Sequence, residues 1–377
     1  MGRRGSRDAT EQPVGDVLGG ADEGNDDGEV RERRAGRRAL VVALAALGGL
    51  VLVVVLALGG GALWLDSRVE RFGDPFTAIP EAGRPTRPAP VVAADREPLN
   101  VLVLGSDSRI SAGDPSQWEA GAQRTDAIML VHLDGDREHA SVMSIPRDSW
   151  VDVPGRGMAK INASYSYGGP ALLVQTVEQL TGVRIDHVAI ADFDSFTELT
   201  DALGGVEITV GQDVYEYVAP DKLVVGAGTH VLDGKQALAY ARQRYGLPGG
   251  DFDRVKRQQN WARAILTKAV SQGTLTDPAK ATRFVRVVSG AVAVDDGLGL
   301  TDLVGLATEL KGLRAGDVAF VTAPVLGTGW SPDGTQSIVN LDLELLAPLA
   351  EAIATDDVTR YLAEDPDAPE LLGTDVR

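Results

Sequence analysis

Cysteine is absent from this sequence of 377 residues, and histidine occurs only four times. Without cysteine the chain has no disulfide bond, no thiol nucleophile and no cysteine-bound metal. The histidines show no spacing typical of metal ligands, so we interpret them as ordinary strand and loop residues. They are His132, His139, His187 and His230. Phosphate chemistry based on arginine, carboxylate and a metal ion needs neither residue type.

Positive charge is also scarce, since 36 lysines and arginines stand against 54 aspartates and glutamates, for a net charge of −18. Such acidity argues against nucleic-acid binding, which usually relies on a net basic surface. It leaves room for a local basic pocket. With 44% hydrophobic residues, the chain is long enough to form one large domain or two modest domains with a proper core.

The main exception to this acidity is the segment 241–259, which reads ARQRYGLPGGDFDRVKRQQ. Its basic residues are Arg242, Arg244, Arg254, Lys256 and Arg257. We predict that residues 241–245 are extended. Because side chains alternate along an extended chain, Arg242 and Arg244 would then lie on one face. A cluster of this kind indicates a site for an anion.

The second half of this segment is typical of a helix, which we predict over residues 253–270. Arg254 and Gln258 would lie one turn apart on a shared face of that helix. An arginine in the first turn opposes the helix dipole, which favours acidic groups at that end. A bound anion would offset this unfavourable placement.

Residues 39–65 form an apolar run without a charged residue. As a helix with a rise of about 1.5 Å per residue it would span about 40 Å, more than the ~30 Å hydrocarbon core of a bilayer. We interpret it as a transmembrane helix rather than a cleaved signal peptide. The arginines just before it and Asp66 after it place the N-terminus in the cytoplasm. Residues 1–38 have few large apolar side chains and predict a disordered cytoplasmic tail.

The remaining chain divides by composition into three parts outside the membrane. Residues 66–97 are rich in proline and predict an extended extracytoplasmic stalk. Residues 98–350 alternate strand and helix patterns, which is typical of an α/β domain. Strands are predicted at 99–104, 127–133, 139–145, 206–210 and 317–322, and helices at 169–180, 194–203, 253–270, 278–289 and 300–310. Residues 351–377 predict an acidic C-terminal tail.

Charged side chains follow the first predicted strand and precede the second. Asp107 and Arg109 come after the first strand, and Arg124 and Asp126 come before the second. Loops at strand ends are where α/β folds place ligands, and paired carboxylates suit a hard cation such as Mg²⁺. The alternative is structural: Asp107 would cap a turn, and Asp126 would form a surface ion pair with Arg124. Spacing does not decide between the two.

Several long segments together resemble the LytR-CpsA-Psr family of cell-envelope ligases. In chain order they are NVLVLGSDSR, RTDAIMLVHL, SVMSIPRDSWVDVP, KINASYSYGG, DALGGVEI, ALAYARQR and GDFDRVKRQQ. The resemblance covers about residues 98–269 and continues to about residue 350. It implies a mixed central β-sheet flanked by helices in three layers, anchored by the transmembrane helix.

The resemblance also implies a function. It implies a membrane-anchored phosphotransferase that moves a glycopolymer from a polyprenyl pyrophosphate carrier to peptidoglycan and releases polyprenyl phosphate. Asp107 and Asp126 would bind Mg²⁺ or Mn²⁺, and one of them would accept the proton of the attacking hydroxyl. The pyrophosphate would be bound by Arg109, Arg124, Arg147, Arg242, Arg244 and Arg254, with a hydrogen bond from Gln258. Arginine suits this task because its planar guanidinium binds phosphate in a bidentate manner.

Two further residues of the motifs, Lys160 and Asn162, can each be interpreted in two ways. Lys160 either neutralises phosphate or is a solvated surface lysine, and Asn162 either contacts substrate or fixes a turn. Arg147 and Asp148 could form a local ion pair. An apolar slot for the lipid could be lined by Val255, Trp261, Ile265, Leu266 and the helix 171–180, but aliphatic residues at helical spacing are more often core.

Two other functional classes stay open. A phosphatase acting on polyprenyl pyrophosphate would use the same site and pass the phosphoryl group to water. A non-enzymatic envelope module would bind a lipid-linked polymer or relay a signal. Direct gene regulation is disfavoured, because the cytoplasmic tail has no helix-turn-helix pattern.

Overall fold

The computed structural model describes residues 71–90, 96–106, 125–191, 193–216, 221–243, 246–271, 292–373 and 376. Some sequence predictions fall outside these residues, namely the cytoplasmic tail 1–38, the transmembrane helix 39–65, the helix 278–289 and the site residues Asp107, Arg109, Arg124 and Arg244. Across the described ranges, no helix has the length and apolar character needed to cross a bilayer.

The described residues form fourteen strands and seven α-helices. The strands are β1 (Leu99–Ser106), β2 (Thr125–Leu133), β3 (Ala140–Ser144), β4 (Trp150–Val153), β5 (Gly157–Lys160), β6 (His187–Ala191), β7 (Val206–Val210), β8 (Val214–Tyr215), β9 (Leu223–Val225), β10 (Gly228–Leu232), β11 (Val292–Val294), β12 (Val318–Thr322), β13 (Val325–Trp330) and β14 (Ser337–Leu341). The α-helices are α1 (Ile161–Thr181), α2 (Phe193–Ala202), α3 (Gly234–Arg242), α4 (Asp251–Ser271), α5 (Leu300–Glu309), α6 (Leu343–Ala354) and α7 (Val358–Glu364).

The central sheet has six strands in the order β11-β6-β1-β2-β3-β12. β2 is antiparallel to both β1 and β3, and β11 is antiparallel to β6. β1 is parallel to β6, and β3 is parallel to β12. The expected mixed sheet flanked by helices is therefore confirmed.

The two faces of this sheet are covered differently. Leu102 of β1 and Leu130 of β2 are fully buried in the main core, together with residues of α1 and α6. Val103 follows Leu102 and Met129 precedes Leu130, so both point to the opposite face, because side chains alternate along a strand. There they line a cavity together with residues of α2, α3 and α4.

Helix α1 begins earlier than the sequence indicated. The predicted helix at 169–180 is only its second half, because α1 continues from Ile161 through a kink at Gly168 and Gly169. Gly169 has a φ of 64°, a left-handed conformation that favours glycine. Pro170 follows at a position where a new helical segment can begin without a free N–H. A Gly-Gly-Pro sequence therefore kinks this helix instead of starting it.

The predicted extended conformation of residues 241–245 is wrong for its first residues, which end helix α3. Asp233 caps this helix, and its side chain and that of Gln236 form a reciprocal capping box. Ala237, Tyr240 and Ala241 are buried at helical spacing on one face of α3. Arg242 is thus in the last turn of a helix, where the helix dipole favours a cation.

The stalk predicted at 66–97 is packed against the domain over part of its length. Phe72 and Ile79 are buried in the main core. Arg84 forms an ion pair with Glu178 of α1 at 2.6 Å, with side-chain exposures of 7% and 1%. Arg84 Nη2 also donates to the carbonyl of Ile185. Proline content alone predicted an extended chain, but these apolar and charged side chains have partners far away in the sequence.

The C-terminal tail predicted at 351–377 also contributes to the fold. The boundary at residue 350 falls inside α6, and Ile353 and Val358 are buried in the main core. The backbone N–H of Leu372 donates to the carbonyl of Phe320 in β12 at 2.8 Å. The acidic composition hid this packing, because few apolar side chains carry it.

Replacing Arg84 by methionine is expected to lower the free energy of unfolding by about 3–5 kcal/mol, because Glu178 would stay buried without its cation. Urea denaturation of the full-length protein in detergent measures this loss. Glu81→Gln is the matched control, since the Glu81 side chain is 73% exposed in its ion pair with Arg184. If Glu81→Gln lowers the free energy of unfolding as much as Arg84→Met does, burial is not the reason for the loss.

The pair formed by His187 and Asp295 should make the free energy of unfolding depend on pH. Burial alone would lower the pKa of His187, but its hydrogen bond with Asp295 and nearby carboxylates raise it. A raised pKa in the folded state stabilises the protein below the unfolded value of about 6.5, and this contribution is lost as pH rises through the folded pKa. Thermal melts at pH 6 and pH 9 should therefore differ less in His187→Gln than in the wild type. Equal differences in both proteins would contradict this assignment.

Candidate functional site

Six charged residues meet where β2 begins and β3 ends, and we call them the ion network. Asp126 lies in β2, Arg147 and Asp148 lie in the loop after β3, and Lys160 ends β5. The first turn of α4 supplies Asp251 and Arg254. Since β2 and β3 are antiparallel neighbours, the start of one lies beside the end of the other.

Arg147 is the centre of the network. Its Nη1 donates to Oδ1 of Asp126. Its Nε lies 3.7 Å from Oδ2 of Asp148, and its Nη2 lies 3.9 Å from Oδ1 of Asp251. Lys160 Nζ lies 3.0 Å from the other oxygen of Asp148. One guanidinium group thus faces three carboxylates.

Arg254 supplies a second guanidinium group to the same network and is more deeply buried than Arg147, with only 4% of its surface exposed. Its Nη2 lies 2.9 Å from Oδ1 of Asp251 and donates to Oδ2 at 3.1 Å. Among the described residues, the buried Nε atoms of both Arg254 and Arg147 have no hydrogen-bond acceptor. Buried donors in folded proteins usually have a partner, so these two N–H groups are suited to bind an anion.

Backbone hydrogen bonds fix the loop that carries Arg147. Ser149 N–H donates to the carbonyl of Pro146 at 3.0 Å, and Val339 N–H donates to the carbonyl of Asp148 at 2.9 Å. Asn162 N–H donates to the carbonyl of Arg147 itself at 3.2 Å. The buried Asn162, in the first turn of α1, therefore supports the site through its backbone, which agrees with its structural interpretation.

Burial and charge act differently on the two guanidinium groups. Burial disfavours the charged form of Arg147, but Asp126, Asp251 and Asp148 outweigh it, and the pKa of Arg147 is raised. Burial lowers the pKa of Arg254, and repulsion from Arg147 adds to this, although Asp251 opposes it. Arg254 is therefore the less compensated of the two positive charges, and a bound anion would stabilise it.

An apolar cavity of about 120 Å³ adjoins the network and is shared with Asp126. Polar groups of Ser106, Arg242 and Gln258 also border it. The remaining lining is apolar and comes from the sheet and from helices α2, α3 and α4: Val103, Leu104, Gly105, Ala127, Met129, Ala191, Phe196, Leu199, Leu238, Ala241, Trp261 and Val292. A charged group and a hydrocarbon chain could be bound side by side here.

Of the residues predicted to line an apolar slot, Trp261 lines this cavity. Its ring stacks on Phe196 with centroids 3.8 Å apart, and its Nε1 donates to Thr200. Val255 is buried, and Ile265 packs against the small core around β7 and β10. The helix 171–180 contributes to the main core on the other side of the sheet. The core interpretation is thus correct for most of that set.

The basic cluster of segment 241–259 is divided among different surroundings. Arg254 joins the ion network, and Arg242 borders the cavity. Arg257 is fully buried, with its guanidinium 4.7 Å from the ring centroid of Tyr240 and donating to the Tyr240 carbonyl. Lys256 is exposed. Arg244 lies outside the described residues.

Sequence reasoning missed Asp251 and gave Asp148 only a local role. Asp148 does lie near Arg147, but it also pairs with Lys160, which is therefore more than a solvated lysine. Asp126 pairs with Arg147, whereas its proposed partner Arg124 lies outside the described residues. The spacing of Asp251 and Arg254 is typical of an ion pair on one helix face and could have revealed the former.

These features define an α/β protein with a cluster of arginines and carboxylates beside an apolar cavity. The model of the LytR_cpsA_psr family matches residues 77–347. The chain belongs to this family.

Curated relatives and solved structures agree with this assignment. The probable cell wall biosynthesis protein LcpB of Corynebacterium glutamicum is 37% identical over 271 residues, covering 70% of this chain and 60% of LcpB. The chain thus spans less than two thirds of that relative. TagT of B. subtilis, solved bound to LI-WTA, is 27% identical with a TM-score of 0.56, covering 73% of this chain and 96% of TagT. TagT with bound octaprenyl pyrophosphate lipid is 27% identical with a TM-score of 0.53 over the same shares.

Asp251→Asn is expected to lower the free energy of unfolding by about 3 kcal/mol, because the buried Arg254 would lose its main carboxylate partner. Denaturant titration of the full-length protein measures the loss. Asp253→Asn is the control on the same helix turn, since its carboxylate accepts from Gly249 N–H and asparagine can keep that bond. Equal stability of the two variants would show that Asp251 does not hold Arg254.

Proposed function

We propose that this protein is a phosphotransferase that moves a glycopolymer from a polyprenyl pyrophosphate carrier to peptidoglycan. The observation that carries this proposal is the pair of guanidinium groups of Arg147, which is partly buried, and Arg254, which is buried. The buried Nε donors of both lack acceptors among the described residues. They are joined through Asp126 to an apolar cavity. A pyrophosphate with an attached hydrocarbon chain combines the two properties that this arrangement suits. The octaprenyl pyrophosphate bound to TagT supports the same reading.

The proposed reaction joins a glycan hydroxyl to the phosphorus that carries the polymer. A new P–O bond forms, the bond to polyprenyl phosphate breaks, and polyprenyl phosphate leaves. The hydroxyl proton passes to a carboxylate, either Asp126 or Asp107. Phosphoryl transfer depends mostly on positioning and on stabilisation of negative charge on the phosphate oxygens. We assign that stabilisation to arginines fixed by carboxylates, as Arg147 is fixed by Asp126.

The other arginines of the motifs would complete the pyrophosphate site. We propose Arg242 and Gln258 for the side that borders the cavity. Arg109, Arg124 and Arg244 remain proposals from the sequence. Lys160 adds positive charge near Asp148, and Asn162 supports the Arg147 loop through its backbone.

We further propose that Mg²⁺ or Mn²⁺ binds beside Asp126, with Asp107 as the second protein ligand. The ion network supplies carboxylate oxygens, which are the ligands that hard cations prefer. When bound, the ion would neutralise part of the pyrophosphate charge. The chain's own arginines would bind and orient the same phosphates.

The proposed location follows from the same function. A transmembrane helix at 39–65 would hold the domain at the extracytoplasmic surface of the cell membrane, where a lipid-linked polymer and peptidoglycan are both within reach. The first 38 residues would remain in the cytoplasm.

Arg254→Ala is expected to slow polymer transfer by roughly 10²–10³-fold, or about 3–4 kcal/mol, because it removes a donor aimed at the developing charge. The assay uses the full-length protein in nanodiscs with a polyprenyl-pyrophosphate-linked oligosaccharide and peptidoglycan fragments, and mass spectrometry detects the joined product. Circular dichroism establishes that the variant is folded.

Lys256→Ala is the matched control, because Lys256 is exposed two positions further along α4 and should leave transfer unchanged. Unchanged transfer by a folded Arg254→Ala protein would contradict the site. If the wild type releases polyprenyl phosphate without joining polymer to glycan, the protein is a phosphatase. If it only binds the lipid-linked polymer, it is a non-enzymatic module.

A further inference from the structure

A cluster of side chains of the types that can bind a metal ion lies at the other end of β2, away from the ion network. His132 is near the end of β2, Asp134 is in the following turn, and Asp356 is between α6 and α7. Their side chains are 0%, 10% and 4% exposed. His132 is six residues from Asp126 along the strand, a distance of about 20 Å. We call these three residues the His132 cluster.

The three side chains converge on one point. Nε2 of His132 lies 3.0 Å from Oδ1 of Asp356 and 3.6 Å from Oδ1 of Asp134. One ligand atom from each residue lies within 4.8 Å of the other two. Two ligands at about 2.0–2.2 Å from a tetrahedral zinc ion are separated by about 3.4 Å. The two measured distances bracket this value.

The orientation of the imidazole is set by Asn100. The Nδ2 of Asn100 donates to the carbonyl of Arg184 at 2.9 Å, so its Oδ1 faces Nδ1 of His132 at 2.7 Å. Nδ1 must therefore carry a hydrogen. In the neutral ring, the lone pair of Nε2 then points at the carboxylate of Asp356. A nitrogen lone pair that faces a carboxylate oxygen at 3.0 Å needs a hydrogen atom or a metal ion between the two atoms.

The position of Asp134 favours a metal ion. Its Oδ1 is buried and has no hydrogen-bond partner among the described residues. A proton on Nε2 would satisfy Asp356 at 3.0 Å but would leave Asp134 Oδ1, at 3.6 Å, without a donor. A metal ion between the three residues would satisfy all three ligand atoms at once. An orphaned buried carboxylate oxygen of this kind is expected where an ion binds.

Each ligand is also held by a second residue, as is usual at metal sites. His132 donates its other ring N–H to Asn100. Gly135 N–H donates to both oxygens of Asp356, at 3.2 and 3.1 Å. Thr359 Oγ1 donates to Oδ2 of Asp134 at 3.2 Å, which directs Oδ1 towards His132. The cluster is therefore preorganised for one occupant.

We propose that His132, Asp134 and Asp356 bind one divalent transition-metal ion of the zinc class, with water as a fourth ligand. An imidazole with two carboxylates suits Zn²⁺ or Co²⁺, whereas Mg²⁺ and Ca²⁺ prefer oxygen ligands throughout. The ion links β2 to the turn between α6 and α7, so it attaches the C-terminal helices to the sheet. This site is independent of the proposed transferase activity.

The test is zinc binding by the full-length protein in detergent. After equilibrium dialysis against ZnSO4, inductively coupled plasma mass spectrometry is expected to find one zinc per chain in the wild type. Asp356→Asn and Asp134→Asn should each weaken zinc binding by at least 10–100-fold, because each removes a ligand. Zinc should raise the melting temperature of the wild type and leave that of both variants unchanged. Co²⁺ should give a visible absorption band in the wild type only.

One control separates this site from other carboxylates. Asp136→Asn alters the exposed partner of His139, two residues from Asp134, and should keep one zinc per chain. Zinc binding that is absent from the wild type, or equal in the wild type, Asp356→Asn and Asp134→Asn, would overturn the proposal. If the wild type binds no zinc and Asp356→Asn still loses stability, the cluster is a charged histidine–carboxylate network only.

Discussion

The structure of the candidate site depends on holding two positive guanidinium groups close together in a buried place. Arg147 and Arg254 repel each other, and burial disfavours the charge of each. Asp251 lies between them, and Asp126 and Asp148 hold Arg147 from the other sides. The carboxylates hold the arginines in place but do not accept a hydrogen bond from the Nε atoms of Arg147 and Arg254. These N–H groups are therefore suited to bind an anion. A site of this kind is prepared before any substrate arrives.

The mixed sheet provides the geometry for this arrangement. One face is closed by α1 and α6 in a continuous core. On the other side of the sheet, the apolar cavity lies between the strands and helices α2, α3 and α4. Because β2 contributes both Asp126 and Met129, the charged and apolar parts of the site are carried by one strand. The same strand reaches the His132 cluster at its far end, so β2 connects two chemically different sites.

Local patterns predicted part of the regular structure, whereas β4, β6, β13 and α6, among others, were not predicted. The strands at 99–104, 127–133 and 206–210 and the helices at 194–203 and 253–270 agree with the structure within a few residues. The errors arose where a local signal had two meanings. Alternating arginines suggested an extended chain at 241–245, whereas buried Ala237, Tyr240 and Ala241 make the preceding residues a helix. Proline-rich and acidic composition suggested unpacked segments, although Phe72 and Val358 are core residues.

By itself, the sequence determined the family, part of the strand and helix pattern and the arginines and aspartates of the motifs, because these are carried by neighbouring residues. Only the tertiary structure decided which charges meet. Asp126, Arg147 and Arg254 come from β2, a loop and α4. Arg257, three positions after Arg254, packs against Tyr240 instead. His132 was interpreted as an ordinary strand residue because its partner Asp356 is 224 positions away. Spacing along the chain carries no information about contacts that exist only after the sheet and helices pack.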